Sequence, residues 1–199
     1  MAKAPVAGRV KTRLAREAGL ATAVRFARHR VAALVQRVGT DARWSTVLAV
    51  VPDSATLSRA WPRGVPLMPQ GGGDLGQRMQ RLLGRGPPGP VVIVGTDIPD
   101  VARGHIAAAF ALLGRHDAVL GPAEDGGYWL IGMRRRPRVL RAFARVRWSG
   151  PHALGDTLAN LRGHSVALMP TLRDVDTAAD LDRCGERWGR RIHYLISKH

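Results

Sequence analysis

A chain of 199 residues, 45% of them hydrophobic, has the size and composition of one folded domain spanning 1–199 with a substantial core. It has no apolar run near the roughly 18–20 residues that span a bilayer and no signal-peptide h-region, and its single cysteine, Cys184, excludes an internal disulfide and fits a reducing cytoplasm. The formal charge of +16 raises a polyanion partner, but arginine is spread along the whole chain and the few aromatics do not alternate with it, which counts against a nucleic-acid surface and for a solvated basic face that attracts anionic substrates.

The first segment, Lys3-Ala4-Pro5-Val6-Ala7-Gly8-Arg9-Val10-Lys11-Thr12-Arg13-Leu14, sets four cations around a Gly/Pro loop that leads into a helix. Two of the chain's three lysines stand here. Backbone N–H groups at a helix start with Lys and Arg beside them suit a polyphosphate, although the segment is no Walker loop and a basic arm without a partner reads equally from the pattern. Helix is predicted over 22–38, strand over 46–51 and helix over 54–61. The loop Gln70-Gly71-Gly72-Gly73-Asp74 then precedes a helix over 75–83, with Asp74 as N-cap and the glycines, Gly73 among them, open to close approach by a ligand.

A connector rich in Pro and Gly (86–90) leads to the strongest strand, 91–95, and a helix over 103–113. Strands over 118–121 and 128–133 follow, separated by a loop too short for a helical crossover, so the second lies antiparallel or starts a small lobe. Helices over 137–144 and 152–161, a strand over 165–169 and a last helix over 178–188 complete the chain. This alternation predicts an α/β fold, a mostly parallel sheet with helices on both faces. Ligands of such sheets bind beyond the carboxyl ends of the strands.

The polar residues at those ends are the candidates for chemistry. Asp97 directly follows the strand over 91–95, where a rigidly held carboxylate suits Mg²⁺ or Mn²⁺; the alternative is a cap for the helix after Pro99. Glu124-Asp125-Gly126-Gly127-Tyr128-Trp129 sets two carboxylates beside glycines and aromatics, able to orient an acceptor hydroxyl or take its proton; a tight turn between strands is the other reading. Trp148 adds a stacking wall or a buried ring. In Asp174-Val175-Asp176-Thr177-Ala178-Ala179-Asp180, Thr177 with Asp180 is similar to a capping box. That leaves Asp174 and Asp176 on one side of an extended stretch as a source of a second metal carboxylate.

Taken in order, KAPVAGRVKTRL, QGGGDLGQRM, VVIVGTDIPD, VLGPAEDGGYWLIG, RWS and DVDTAADL resemble the bacterial glycosyltransferases associated with radical-SAM and selenium-related gene clusters. That family has a GT-A-like, nucleotide-diphospho-sugar transferase fold. The N-terminal K…KTRL pattern is also similar to the 2-phospho-lactate guanylyltransferases and, more distantly, the layout resembles the molybdenum-cofactor nucleotidylyltransferases. The resemblance implies phosphate binding by Lys3, Gly8, Lys11 and Arg13, a metal aspartate at Asp97 with Asp174 or Asp176 as second acidic ligand, and an acceptor side lined by Glu124, Asp125, Gly126, Gly127 and Tyr128. It also implies a first strand ahead of Lys3-Ala4-Pro5, where the chain has almost no residues, so that strand is expected to be missing or truncated.

The expected activity is therefore metal-dependent transfer from a nucleotide or nucleotide-sugar donor to a small acceptor, by glycosyl transfer or by nucleotidyl transfer with release of pyrophosphate. A nucleotide-binding module without catalysis and a basic nucleic-acid-binding protein are the readings from other classes.

Overall fold

The strand-forming runs of this chain are short and mostly aliphatic, so they are satisfied only when both faces are covered. The computed structural model describes residues 1–174. Its elements are β1 (Ala2–Lys3), α1 (Thr12–Ala18), α2 (Leu20–Val38), β2 (Leu48–Val51), a 3₁₀ turn (Asp53–Leu57), β3 (Leu67–Pro69), α3 (Leu75–Gly84), β4 (Val91–Val94), α4 (Arg103–Leu113), β5 (Ala118–Pro122), β6 (Tyr128–Met133), α5 (Ala153–Asn160) and β7 (Val166–Leu168). Among these residues no helix is long and apolar enough to cross a membrane.

β1, β2 and β3 form one sheet in that order, all parallel; the second sheet runs β4-β6-β5-β7. Of the two courses the short loop left open for it, β6 takes the antiparallel one, against β4 and β5, while β7 is parallel to β5. Met1 N donates to Val94 O at 2.7 Å. That bond brings β1 beside β4, so the strands read across as β3-β2-β1-β4-β6-β5-β7.

Side-chain alternation splits the core into two layers. From β5, Val119 enters a cluster with Leu34 and Val38 of α2 and Ile106, Ala109 and Leu113 of α4. Ala118 and Leu120 point the other way, into a cluster with Met79 and Leu83 of α3 and with Leu161. Helices thus cover both faces. A third cluster, including Val50, Val31 and Trp61, closes the β1–β3 sheet.

The β5/β6 register shifts between Gly121 and Pro122: Gly121 faces Leu130 while Pro122 faces Tyr128. Trp129 is the extra residue, a bulge of the kind that bends a strand and re-aims its side chains. Its indole is 2% exposed and lies over Gly121, where an added Cβ would come within 2.4 Å of the ring.

Several sequence expectations change here. The first strand, expected to be missing or truncated, takes the second form: it is two residues long, with Ala2 opposite Val50 and Lys3 opposite Val51. The helix predicted over 54–61 shrinks to the 3₁₀ turn Asp53–Leu57. The helix predicted over 137–144 does not form. Gln80 Nε2 donates to the Leu140 carbonyl at 2.9 Å, and Asn160 Nδ2 donates to those of Ala142 and Ala144 at 3.1 and 2.9 Å. Side chains from α3 and α5 therefore satisfy carbonyls that a helix would have bonded internally. The helix predicted over 178–188 lies outside the described residues. Two elements went unforeseen: α1 in extent, and β3, whose Pro69 is tolerated because the strand lies at the sheet edge.

Candidate active site

A cavity of about 610 Å³ opens beyond the ends of β1 and β4 and beside the start of β6. One wall is cationic: Lys3, Arg9, Lys11 and Arg13. Carboxylates of Asp97, Asp125 and Asp174 line the same space, and Tyr128 and Trp148 with Gly127 complete it. Parts of the chain more than 160 positions apart thus meet in one volume, of the size that small ligands occupy (~300–1,000 Å³).

The cationic wall follows from the turn after β1. Gly8 has φ 74°, and the turn is held by Val6 N to Ala4 O and Arg9 N to Val6 O, at 2.8 and 3.0 Å. Gly8 itself does not line the cavity; it bends the chain that does. Lys11, at the N-cap of the seven-residue α1, is left-handed with φ 47°, a conformation uncommon outside glycine and found where surroundings over-determine it. Its side chain is only 6% exposed, and Nζ lies 3.1 Å from Asp97 Oδ2, whose own side chain is 55% exposed.

Asp97 sits on the loop from β4 to α4, and that loop is gripped from behind. Arg37 Nη1, from the last turn of α2, donates to Pro99 O and Val101 O at 2.5 and 2.9 Å. Arg103 Nε and Nη2 in turn donate to Arg37 O and Thr40 Oγ1 at 2.7 and 3.0 Å. Burial pulls the Arg37 guanidinium below its ordinary pKa, opposed by the Asp100 charge. Arg37→Ala leaves two carbonyls without their donor, one on the fully buried Val101. It is expected to cost about 1–3 kcal/mol in urea unfolding, partly restored by Arg37→Lys.

Among the described residues no group of three His, Cys, Asp or Glu is placed to hold a metal ion. Asp97 and Asp174 line the same cavity, and one or two carboxylates are the usual protein contribution to a Mg²⁺ site, the remaining positions going to water and substrate phosphates. Asp176 lies outside the described residues.

Adjacent residues of the Glu-Asp-Gly-Gly turn part company. Asp125 lines the cavity, and its Oδ1 accepts from Gly127 N at 2.9 Å. Glu124 does not; it forms a two-pronged pair with Arg173, at 2.6 and 3.2 Å. Gly126, with φ 82°, packs so closely on Pro151 that a Cβ would sit 2.5 Å from the Pro151 backbone. Its carbonyl accepts Leu154 N at 3.0 Å, fixing the turn to α5.

Tyr128 and Trp148 meet edge to face at 6.4 Å, and Phe143 backs Trp148 at 6.1 Å. Burial pushes the Tyr128 hydroxyl well above its ordinary pKa, a shift that Thr157 partly offsets, so it remains protonated. Gly76 of α3 is the floor beneath Trp148: a Cβ there would lie 2.8 Å from the ring.

Gly73 and Asp74 are absent from the cavity wall. Asp74 Oδ1 accepts from Gln77 N at 2.8 Å and Gln77 Oε1 accepts from Asp74 N at 3.0 Å, a reciprocal cap for α3. Gly73, with φ 95°, leaves room for the Gln77 amide. Leu75 and Met79 of that helix do reach the cavity. Sequence reasoning missed Arg37 and also Gln70, whose buried amide donates to Ala2 O and Ala49 O at 3.1 and 2.9 Å. Arg37 belongs to no motif, and Gln70, although it heads the QGGGDLGQRM segment, reads there only as part of a glycine-rich loop.

Comparison with known proteins adds family context. The family model described as "Uncharacterized protein conserved in bacteria (DUF2064)" matches residues 34–150. No curated protein matches the chain. Among solved structures, the "putative nucleotide-diphospho-sugar transferase" from Desulfovibrio desulfuricans G20 is 32% identical and superposes with a TM-score of 0.81. The match covers 98% of this chain and 90% of that one, so the two share one fold.

Proposed function

The chain belongs to the DUF2064 family, and from that premise we propose that its cavity binds a nucleotide-activated donor with a divalent cation and transfers a glycosyl group to a small acceptor. The observation that carries this reading is the convergence of four cationic side chains, three aspartates and three aromatic residues, Tyr128, Trp129 and Trp148, in one cavity. The nucleotide-diphospho-sugar transferase named among the similar structures supports the same reaction class.

Lys3, Arg9, Lys11 and Arg13 neutralise the donor's phosphate charge in a recess where water is reduced and each contact is strengthened. Asp97 and Asp174 would hold a Mg²⁺ or Mn²⁺ ion, which would supply Lewis-acid neutralisation of charge on the leaving diphosphate. Tyr128 and Trp148 offer flat apolar faces to a base or sugar ring, while the Tyr128 hydroxyl keeps its proton and serves as a hydrogen-bond donor. Asp125 orients the acceptor hydroxyl and receives its proton as the new bond forms. Its fixed bond to Gly127 N holds the carboxylate in place for that step.

Nucleotidyl transfer is the second reading, favoured by the number of cations on one wall, enough to hold a triphosphate. The released product separates the two: nucleoside diphosphate in the first, pyrophosphate in the second.

The test is thermal unfolding with a panel of nucleotide-sugars and nucleoside triphosphates, with and without Mn²⁺, followed by product analysis. A saturating donor at about 100 times its Kd adds ~2.7 kcal/mol, a rise of roughly 5–11 °C for a chain of this size. A metal-dependent rise with product release supports the proposal. No rise with any nucleotide sinks it.

A further inference from the structure

The chain between β6 and α5 is the most concentrated run of charge in the protein: residues 134–147 hold seven arginines and no acidic residue. This is also where the predicted helix fails. The backbone is pinned from outside by Gln80 and Asn160 on three of its carbonyls. It is tied at its start by Arg135, which donates to Arg85 O and Pro87 O at 2.9 and 2.8 Å. Ala142 is wholly buried beneath it, while Arg138 and Arg141 stay exposed. A fixed backbone therefore presents these two cations.

They line a second cavity of about 530 Å³ with Val139, Leu140, Asn160 and His164. It shares no residue with the first. β6 starts at Tyr128, on the first cavity, and ends at Met133, from which this segment leaves. The second cavity thus lies toward the opposite end of the sheet. The acidic group near its wall is Asp117, with Oδ2 3.9 Å from His164 Nδ1. Neighbouring Arg147 has a carboxylate of its own, Asp156, at 2.8 Å. Among the described residues Arg138 and Arg141 make no such pair and no hydrogen bond. Like charges gathered around a recess repel one another and are complementary to an anion.

We propose that this recess is a second anion site that takes phosphate groups. Arg138 and Arg141 supply planar guanidinium donors, whose fork matches two phosphate oxygens. His164 stands at the rim, and Val139 and Leu140 offer apolar contact to whatever bears the phosphate. The same chemistry serves a soluble polyphosphate or the headgroup of an acidic lipid. The site is independent of the function proposed for the first cavity.

The experiment uses Lys11→Met/Arg13→Gln protein, which weakens the first cavity as a competitor for anions. Inorganic tripolyphosphate is titrated calorimetrically at about 0.1 M salt, and sedimentation is followed with phosphatidylglycerol and phosphatidylcholine vesicles. Adding Arg138→Gln/Arg141→Gln is expected to weaken binding at least about tenfold. Adding Arg59→Gln/Arg63→Gln, an equal change of net charge on exposed arginines elsewhere, is expected to change it less than about twofold. Because neither arginine carries a fold contact, the Arg138/Arg141 double variant should melt no lower than its parent without anion. Titration with tripolyphosphate assigns a soluble ligand, and retention on phosphatidylglycerol alone assigns a lipid headgroup. Equal losses in the two charge-matched variants, or no binding to either probe, overturn the site.

Discussion

Asp97→Asn is expected to lower turnover by about 10²–10³, equivalent to ~2.7–4 kcal/mol of transition-state stabilisation, while leaving the fold intact. Two roles compete for this carboxylate. In one it is the counter-ion of Lys11, whose Nζ lies 3.1 Å away. In the other, the proposed one, it binds the divalent cation that the donor brings. The magnitudes separate them. The aspartate side chain is 55% exposed, so water screens the pair and its worth to stability is about 1 kcal/mol or less. The amide of Asn also still offers Lys11 an oxygen. A carboxylate that binds a hard cation is not replaced in this way, because the amide has lost the charge. Turnover, Mn²⁺ binding by electron paramagnetic resonance and the melting temperature should then respond very differently: the first two collapse and the third moves by a few degrees at most. Turnover within threefold of the parent would leave Asp97 as a counter-ion alone and remove the metal from the proposed mechanism.

The legible parts of this protein are those whose cause is local. Val91–Val94 and Tyr128–Met133 are read directly from their aliphatic runs, and Arg103–Leu113 has the bounds that its composition predicts. The antiparallel course of β6 is one of the two that a connection too short to cross over allows, the other being the start of a small lobe. Asp74 as the cap of α3 is equally local. The illegible parts depend on distant partners. Residues 137–144 have helix-compatible composition, yet Gln80 and Asn160 capture their carbonyls from two other elements. Glu124 and Asp125 are indistinguishable as neighbouring carboxylates, and only the position of Arg173 decides that one forms a surface pair while the other faces the cavity. Lys11 reads as a phosphate ligand from its motif, whereas its burial and left-handed backbone emerge only when β1 is laid against β2.

Gln70→Leu should be among the most destabilising single changes in the protein, by about 2–4 kcal/mol, although its place at the head of a glycine-rich loop gives no sign of a buried role. Its side chain is 1% exposed. The two amide hydrogens are spent on Ala2 O in β1 and Ala49 O in β2, at 3.1 and 2.9 Å. Leucine fills nearly the same volume, so cavity formation contributes little. The cost is two buried carbonyls deprived of a donor, at about 1–3 kcal/mol each before any sharing with their second lone pairs. An asparagine side chain in its place would be too short to reach both, and a glutamate would bury a charge and face the carbonyls with oxygens. The effect does not stop at stability. β1 has two residues, paired to β2 through Ala2 and Lys3, and Gln70 is one of the few remaining holds on it. The turn that carries Lys3, Arg9, Lys11 and Arg13 to the cavity starts from that strand. A loosened β1 therefore spreads the cationic wall before the domain unfolds. In urea the midpoint should fall with an unchanged m-value, and the Ala4 amide, bonded to Val51 O at 2.8 Å, should exchange faster than in the parent. If Gln70→Leu costs less than about 0.5 kcal/mol and the Ala4 amide keeps its protection, the β1–β2 ladder holds the strand unaided and the link from Gln70 to the cationic wall is broken.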